Sequence, residues 1–197
     1  MTWNDWGRLT RFLESARIAF AREHSLWDSL DLAEPGTAKI QNTEGMRKYT
    51  VTLAEHRSAV TDTWILHASV LVYCYALAEA AAADKLGCEQ VSGGIEEWSK
   101  QLLTQANSDW SKVTGGKAGL VELAVVRNII AHGGYQYTAS NVNRLRDAGV
   151  SPLPGVGESV KLDYETLLDF RSRLKSLLRN AQVRDVHAAI EDETENL

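Results

Sequence analysis

Arg127, Asn128 and His132 are the residues of this chain whose types and spacing suit chemistry. Arginine offers a permanent planar cation that matches the oxygens of a phosphate, and imidazole exchanges protons near neutral pH. Side by side, the two suit proton transfer on a phosphoester. Cleaving RNA without a metal requires three things: the 2′-hydroxyl must lose a proton, the phosphorane charge must be stabilised, and the 5′-oxygen must gain a proton. One histidine and one arginine are too few for all three tasks, whereas two copies facing each other across a dimer axis would be enough. An arginine followed five residues later by a histidine also arises by chance, and its bland reading is a pair that merely caps a helix end.

The element that must position these groups is the run from Leu120 to Gly134, which reads as a short helix ending in a glycine stop. Projected at roughly 100° per residue, Leu123, Val125, Val126, Ile129 and Ile130 form a broad apolar arc. The other side holds Val121, Ala124, Arg127, Asn128, Ala131 and His132. No broad solvent face remains, so something other than water should cover the Arg/Asn/His side. Asn128 and His132, four apart, stack on one face. Arg127 and His132 diverge by roughly 140°, so the guanidinium must curl over the alanines to meet the imidazole. Gly133 suits the left-handed residue that closes a helix, which puts the pair in the last turn, where free carbonyls favour a cation.

Arg127-Asn128-Ile129-Ile130-Ala131-His132-Gly133 resembles the signature of the HEPN superfamily, the higher eukaryote and prokaryote nucleotide-binding domains. These are small helical bundles, many of them metal-independent endoribonucleases, whose Arg-x(4–6)-His motif ends a late helix and whose active site forms where two bundles meet. The resemblance implies catalytic roles for Arg127 and His132 and a supporting role for Asn128. It also implies a homodimer, a 2′,3′-cyclic phosphate product, and the setting of a prokaryotic toxin or antiviral defence effector, with an antitoxin or regulatory protein as a further partner. In the toxins silenced by nucleotide transfer, a tyrosine stands two residues after the histidine. Here Gly134 holds that place and Tyr135 follows it, so that route of silencing is not implied. The specific match covers about a dozen residues.

The whole chain sets the frame. Its 197 residues fit one domain able to bury a real core, expected over 1–187, with an acidic tail at 188–197 that lacks apolar periodicity and should fray. A net charge of −5 argues against coating nucleic acid through bulk charge and leaves room for a local basic cleft. Cys74 and Cys88 lack metal-ligand spacing and read as reduced thiols of a cytoplasmic chain. The N-terminus has neither a basic nor an apolar signal region. No metal cluster and no nucleotide-binding glycine loop is present in the sequence, and no cofactor is expected.

The expected fold is all-α, a HEPN-like dimeric bundle of about five principal helices. The first runs from Trp3 to Leu32 on Trp6, Leu9, Leu13, Ala16 and Phe20, and stops at Glu34-Pro35-Gly36. Met46 to Arg57 is ambiguous, because Tyr49, Val51 and Leu53 alternate, and is read as helix. Thr61 to Leu86 is apolar enough to span a bilayer, yet His67, Ser69 and Glu79 interrupt it, so it is read as the central helix of the bundle with no membrane involved. Glu79 needs a partner there. It either reaches the Arg127/His132 cluster or emerges at the surface, and the surface is preferred. His67 reads as a hydrogen-bonded core residue. A third helix covers Ile95 to Trp110. After the motif, 133–162 is the longest irregular segment, with a helical turn over Asn141 to Ala148. Tyr135, Tyr137, Arg144 and Arg146 in it suit base stacking and phosphate contacts, and a connector without a role fits equally well. Asp163 caps the last helix, with Leu167, Phe170, Leu174, Leu177 and Ala181 inward and Arg171, Arg173, Lys175, Arg179 and Arg184 outward, as an RNA-facing or simply solvated face.

The expected function is metal-independent endoribonuclease activity at a composite dimer site, with Tyr135, Arg144 and Arg146 gripping RNA. The alternative is a non-catalytic HEPN-like module that binds RNA, nucleotide or a partner protein. A plain helical interaction domain is the third reading.

Overall fold

Seven α-helices and one two-stranded sheet make up the regular structure among the described residues. The structure, a computed structural model, describes residues 3–29, 39–42 and 49–183. The chain is mostly helical, as the apolar periodicity requires. The acidic tail over 188–197 and the stop at Glu34-Pro35-Gly36 lie outside the described residues. Contacts divide the chain into two compact units, Leu9–Leu66 and the remainder.

In the Leu9–Leu66 unit, helix α1 (Trp3–Asp28) contributes most of its length, followed by strands β1 (Lys39–Asn42) and β2 (Tyr49–Thr52) and helix α2 (Leu53–Thr61). The strands pair antiparallel, with Lys39 opposite Thr52 and Ile40 opposite Val51. The helix expected over Met46–Arg57 is therefore corrected in part: Tyr49–Thr52 is strand, and helix begins at Leu53. β-Branched Thr50, Val51 and Thr52 favour the extended form. Thr52 then caps α2, its hydroxyl accepting from the Glu55 amide (3.2 Å) while the Glu55 carboxylate accepts from the Thr52 amide (2.8 Å). That reciprocal box prevents the helix from starting earlier.

The larger unit holds helices α3 (Trp64–Leu86, from His67 on), α4 (Ile95–Gln105), α5 (Gly116–Ala131), α6 (Ala139–Asp147) and α7 (Tyr164–Asn180), together with the first turns of α1. α5 is the hub and packs against α4, α6 and α7. Leu71, Leu102, Leu120, Leu123, Leu167, Phe170, Leu174 and Leu177 are fully buried around it, each stabilising the fold by about 1.5–3 kcal/mol. α3 has the length and composition of a membrane span, but ten of its residues are buried inside this structure. His67 is the core histidine its sequence setting predicts: it is 3% exposed, with Nδ1 donating to the Leu162 carbonyl at 3.1 Å. α7 begins on Asp163, whose carboxylate accepts from the Thr166 amide at 2.8 Å.

Two expectations about basic residues are corrected by the packing. Arg171, placed by its spacing on an outward face, is only 3% exposed. Arg173 is not a solvated cation either. Its guanidinium donates to the Gly119 carbonyl (3.0 Å) and the Glu122 carboxylate (2.6 Å), and lies 2.5 Å from Asp169. A Cβ on Gly119 would sit 3.0 Å from that guanidinium, so a larger residue there would make Arg173 give by a few tenths of an ångström. Segment 133–162 is also more ordered than its composition suggests. α6 fills its centre, capped by Thr138, and its two ends close on each other through Tyr137 N–Glu158 O (2.9 Å) and Val160 N–Tyr135 O (2.8 Å).

Candidate functional site

The helix stop that fixes the motif is built from backbone alone. Gly133 takes φ +73°, its amide donates to the Ile130 carbonyl (3.0 Å), and the Gly134 amide reaches the Ile129 carbonyl (2.8 Å). This double bond pattern closes a helix on a left-handed residue. Helical geometry ends at Ala131, so His132 is the C-cap residue rather than a member of the last turn. Gly134 has its own constraint: a Cβ there would lie 3.1 Å from the Ile129 carbonyl oxygen that forms the stop.

Arg127 and His132 therefore sit in different surroundings. Val121, Ala124, Val125 and Val126 are all buried, so α5 is enclosed on both sides up to the arginine. The cover over Arg127 comes from α3. Tyr75 and Glu79, four apart and thus on one face of that helix, present a ring and a carboxylate to the guanidinium. Its carbon lies 4.7 Å from the Tyr75 centroid, within cation–π range. Nη2 is 3.7 Å from Glu79 Oε2, and Nη1 donates to Asn128 Oδ1 at 3.0 Å. Behind Tyr75 the Trp98 ring of α4 stands edge-on at 6.4 Å. The Arg127 Nε–H is buried and has no acceptor among the described residues.

His132 lies beyond this cluster. Its side chain is exposed and, among the described residues, has no hydrogen-bond or ion-pair partner. The guanidinium does not curl over Ala131 to meet it. It turns inward to Glu79 and Tyr75, because a charge paired in a half-buried pocket over an aromatic ring is held better than one stretched across the exposed Ala131. Asn128 accordingly orients the arginine within the chain.

The structure thus brings Arg127 and Asn128 together, adds Glu79 and Tyr75, and leaves His132 on the rim. Glu79 corrects the sequence reading, which preferred the open surface: its carboxyl is about two-thirds buried and directed at Arg127. Burial pushes that carboxyl above the ordinary carboxylate range, with the Arg127 charge pulling the other way. Tyr75 was missed altogether. Burial, then the Glu79 charge, raises its phenol to about 12, so it stays protonated. The available signal was the Tyr75/Glu79 spacing on a helix whose other charges, Asp84 and Lys85, lie in its last turn.

Of the expected RNA-gripping residues, Tyr135 is 62% exposed. Arg144 is engaged elsewhere, donating to Glu96 of α4 at 2.9 Å and tying α6 to α4. Arg146 is exposed and donates to Asn143 Oδ1 at 2.6 Å. Among the described residues, no cluster of His, Cys, Asp and Glu has the makeup of a metal site.

Compared with protein-family models, curated proteins and solved structures, this chain matches none. Its function is therefore argued from the site itself. The arrangement offers a fixed cation, a carboxamide aimed at it, and an exposed imidazole one turn further on. Such groups can hold a phosphate and move a proton, and the Glu79 carboxylate beside Arg127 is a further proton acceptor.

Proposed function

We propose that the chain is a metal-independent endoribonuclease of HEPN type, working in the cytoplasm on a composite site made by two copies. The observation that carries the reading is the geometry of the α5 terminus. A glycine stop presents His132 to solvent while Arg127, a turn earlier, is fixed in a pocket of Glu79, Asn128 and Tyr75. Arg127 holds the scissile phosphate and stabilises the phosphorane, His132 acts as acid or base, and Asn128 keeps the guanidinium in its plane. The second copy supplies the other proton-transfer group. The outer face of α3 supports a two-copy site: Tyr73 is 53% exposed, and Ala76 and Ala80 are exposed beside it, giving a small-residue surface against which another helix can lie closely. RNA is the substrate, and a regulatory or antitoxin protein is a fitting further partner.

One observation favours a second reading, a HEPN-like module that binds RNA or nucleotide without cutting. The Arg127 charge is already engaged by Glu79. The test is incubation of mixed-sequence RNA with the protein in EDTA. Cleavage with cyclic-phosphate ends is expected. It should fall by about two to four orders of magnitude in His132→Ala and comparably in Arg127→Ala. Cleavage that survives both substitutions counts against the assignment, and binding without cleavage selects the second reading.

A further inference from the structure

Arg127 is a cation prepared for a two-oxygen acceptor but given a loose one. A carboxylate or phosphate that matches a guanidinium takes two parallel hydrogen bonds from it. Here Glu79 stands 3.7 Å from Nη2, beyond a normal hydrogen bond. Nη1 is given to Asn128, and the buried Nε–H has no acceptor among the described residues. The Tyr75 ring, backed by Trp98, closes one face of the guanidinium. An arriving oxyanion therefore meets a positioned guanidinium whose Nη2 side is held only loosely, by Glu79.

We propose that Arg127 is an oxyanion subsite gated by Glu79: the Glu79 carboxylate and an incoming phosphate-like group compete for one guanidinium, and Glu79 takes up a proton from water when the oxyanion wins. The inference rests on the reading of Arg127 as the phosphate-holding group and adds the regulation of that site. Two anions a few ångströms apart in a half-buried pocket repel each other. Glu79 is fixed on α3, a long helix packed along the bundle, so neutralisation relieves that repulsion with the helix left in place. Burial raises the carboxyl and the Arg127 charge restrains it, so an oxyanion that engages Arg127 weakens the restraint. Around the cluster, Glu96 of α4 and Arg144 of α6 are paired with each other and largely cancel, and the Tyr75 phenol is neutral. His132 is the other group that would strengthen anion binding on acidification, so its contribution must be separated.

Sulfate is the probe, because its charge is constant across neutral pH, titrated calorimetrically into the full chain. At neutral pH, Glu79→Gln should bind sulfate roughly tenfold more tightly than the wild type, the effect of removing one competing charge. Wild-type affinity should weaken as pH rises, by up to about tenfold per pH unit for one linked proton. That slope should persist in His132→Asn and disappear in Glu79→Gln. Adding Arg127→Gln to Glu79→Gln, which replaces the ion pair by two neutral amides and spares the fold a lone buried charge, should abolish binding. Equal affinity in wild type and Glu79→Gln, a slope that follows His132, or no sulfate binding in any variant each overturns the gate. Sulfate binding needs no RNA, so the two ideas fail separately. Gated sulfate binding without RNA cleavage removes the nuclease and keeps the gate, and RNA cleavage indifferent to Glu79 does the reverse.

Discussion

At the scale of single residues, the stability of the larger unit depends on a few polar groups that hold helix ends. Asp163 is one. The Thr166 amide, then its hydroxyl, bonds the Asp163 carboxylate and holds it below the ordinary carboxylate range. A carboxyl lowered in the native state adds stability that is present above its unfolded value and lost as the pH falls through the native one. Asp163→Ala should therefore cost about 1 kcal/mol near neutral pH, and the gap to wild type should close in acid. Asp163→Asn, still a good cap, should keep most of it. Urea unfolding followed by helical circular dichroism at neutral and acid pH measures both. A second residue-scale expectation concerns the thiols. Cys74 is buried, and burial pushes its thiol up to about 11, against the pull of Arg171, while Cys88 is exposed. A thiol reagent should titrate one cysteine in the native protein and both in denaturant. Two fast thiols in native protein would mean that α3 is open to solvent at that turn.

At the scale of elements, α5 determines whether a site exists. Its hydrophobic run was legible because apolar residues on nearly every face leave no room for a solvated one. Its stop was legible because Gly-Gly follows a cation-bearing turn. What covers Arg127 was not legible, since the covering residues lie on α3, about fifty positions earlier, and only packing brings Tyr75 and Glu79 over that turn. The same limit applied to Arg173, whose partners Gly119 and Glu122 lie on another helix. The Gly133 turn has a direct test. A Cβ there meets nothing within 4 Å, so Gly133→Ala suffers only the left-handed backbone strain, about 1 kcal/mol. It should lower RNA cleavage more than it lowers stability, because His132 is placed by that turn. Parallel unfolding and cleavage measurements decide the point. Loss of activity no greater than the loss of folded protein would detach His132 from the reaction.

At the scale of the whole molecule, the acidic balance of the chain means that the proposed RNA substrate would be gripped by local cations rather than by a basic surface. Tyr135 and Arg146 are exposed, whereas Arg144 serves α4. A composite site has a signature of its own. Cleavage per chain should fall on dilution, in step with the conversion of dimer to monomer seen by light scattering, while helical content stays constant. Activity per chain that is unchanged in a population of monomers would rule out sharing of the site between copies.

The sequence by itself determined the helical character, the buried stripes, the caps at Asp163 and Gly133, and the spacing of Arg127, Asn128 and His132. All of these follow from periodicity and backbone preference within a few turns of chain. Tertiary structure alone decided that Arg127 turns to Glu79 and Tyr75 rather than to His132, and that Arg171 is buried. In each case the deciding neighbours are distant in sequence, and the free energy of packing against them outweighs what local preference can express.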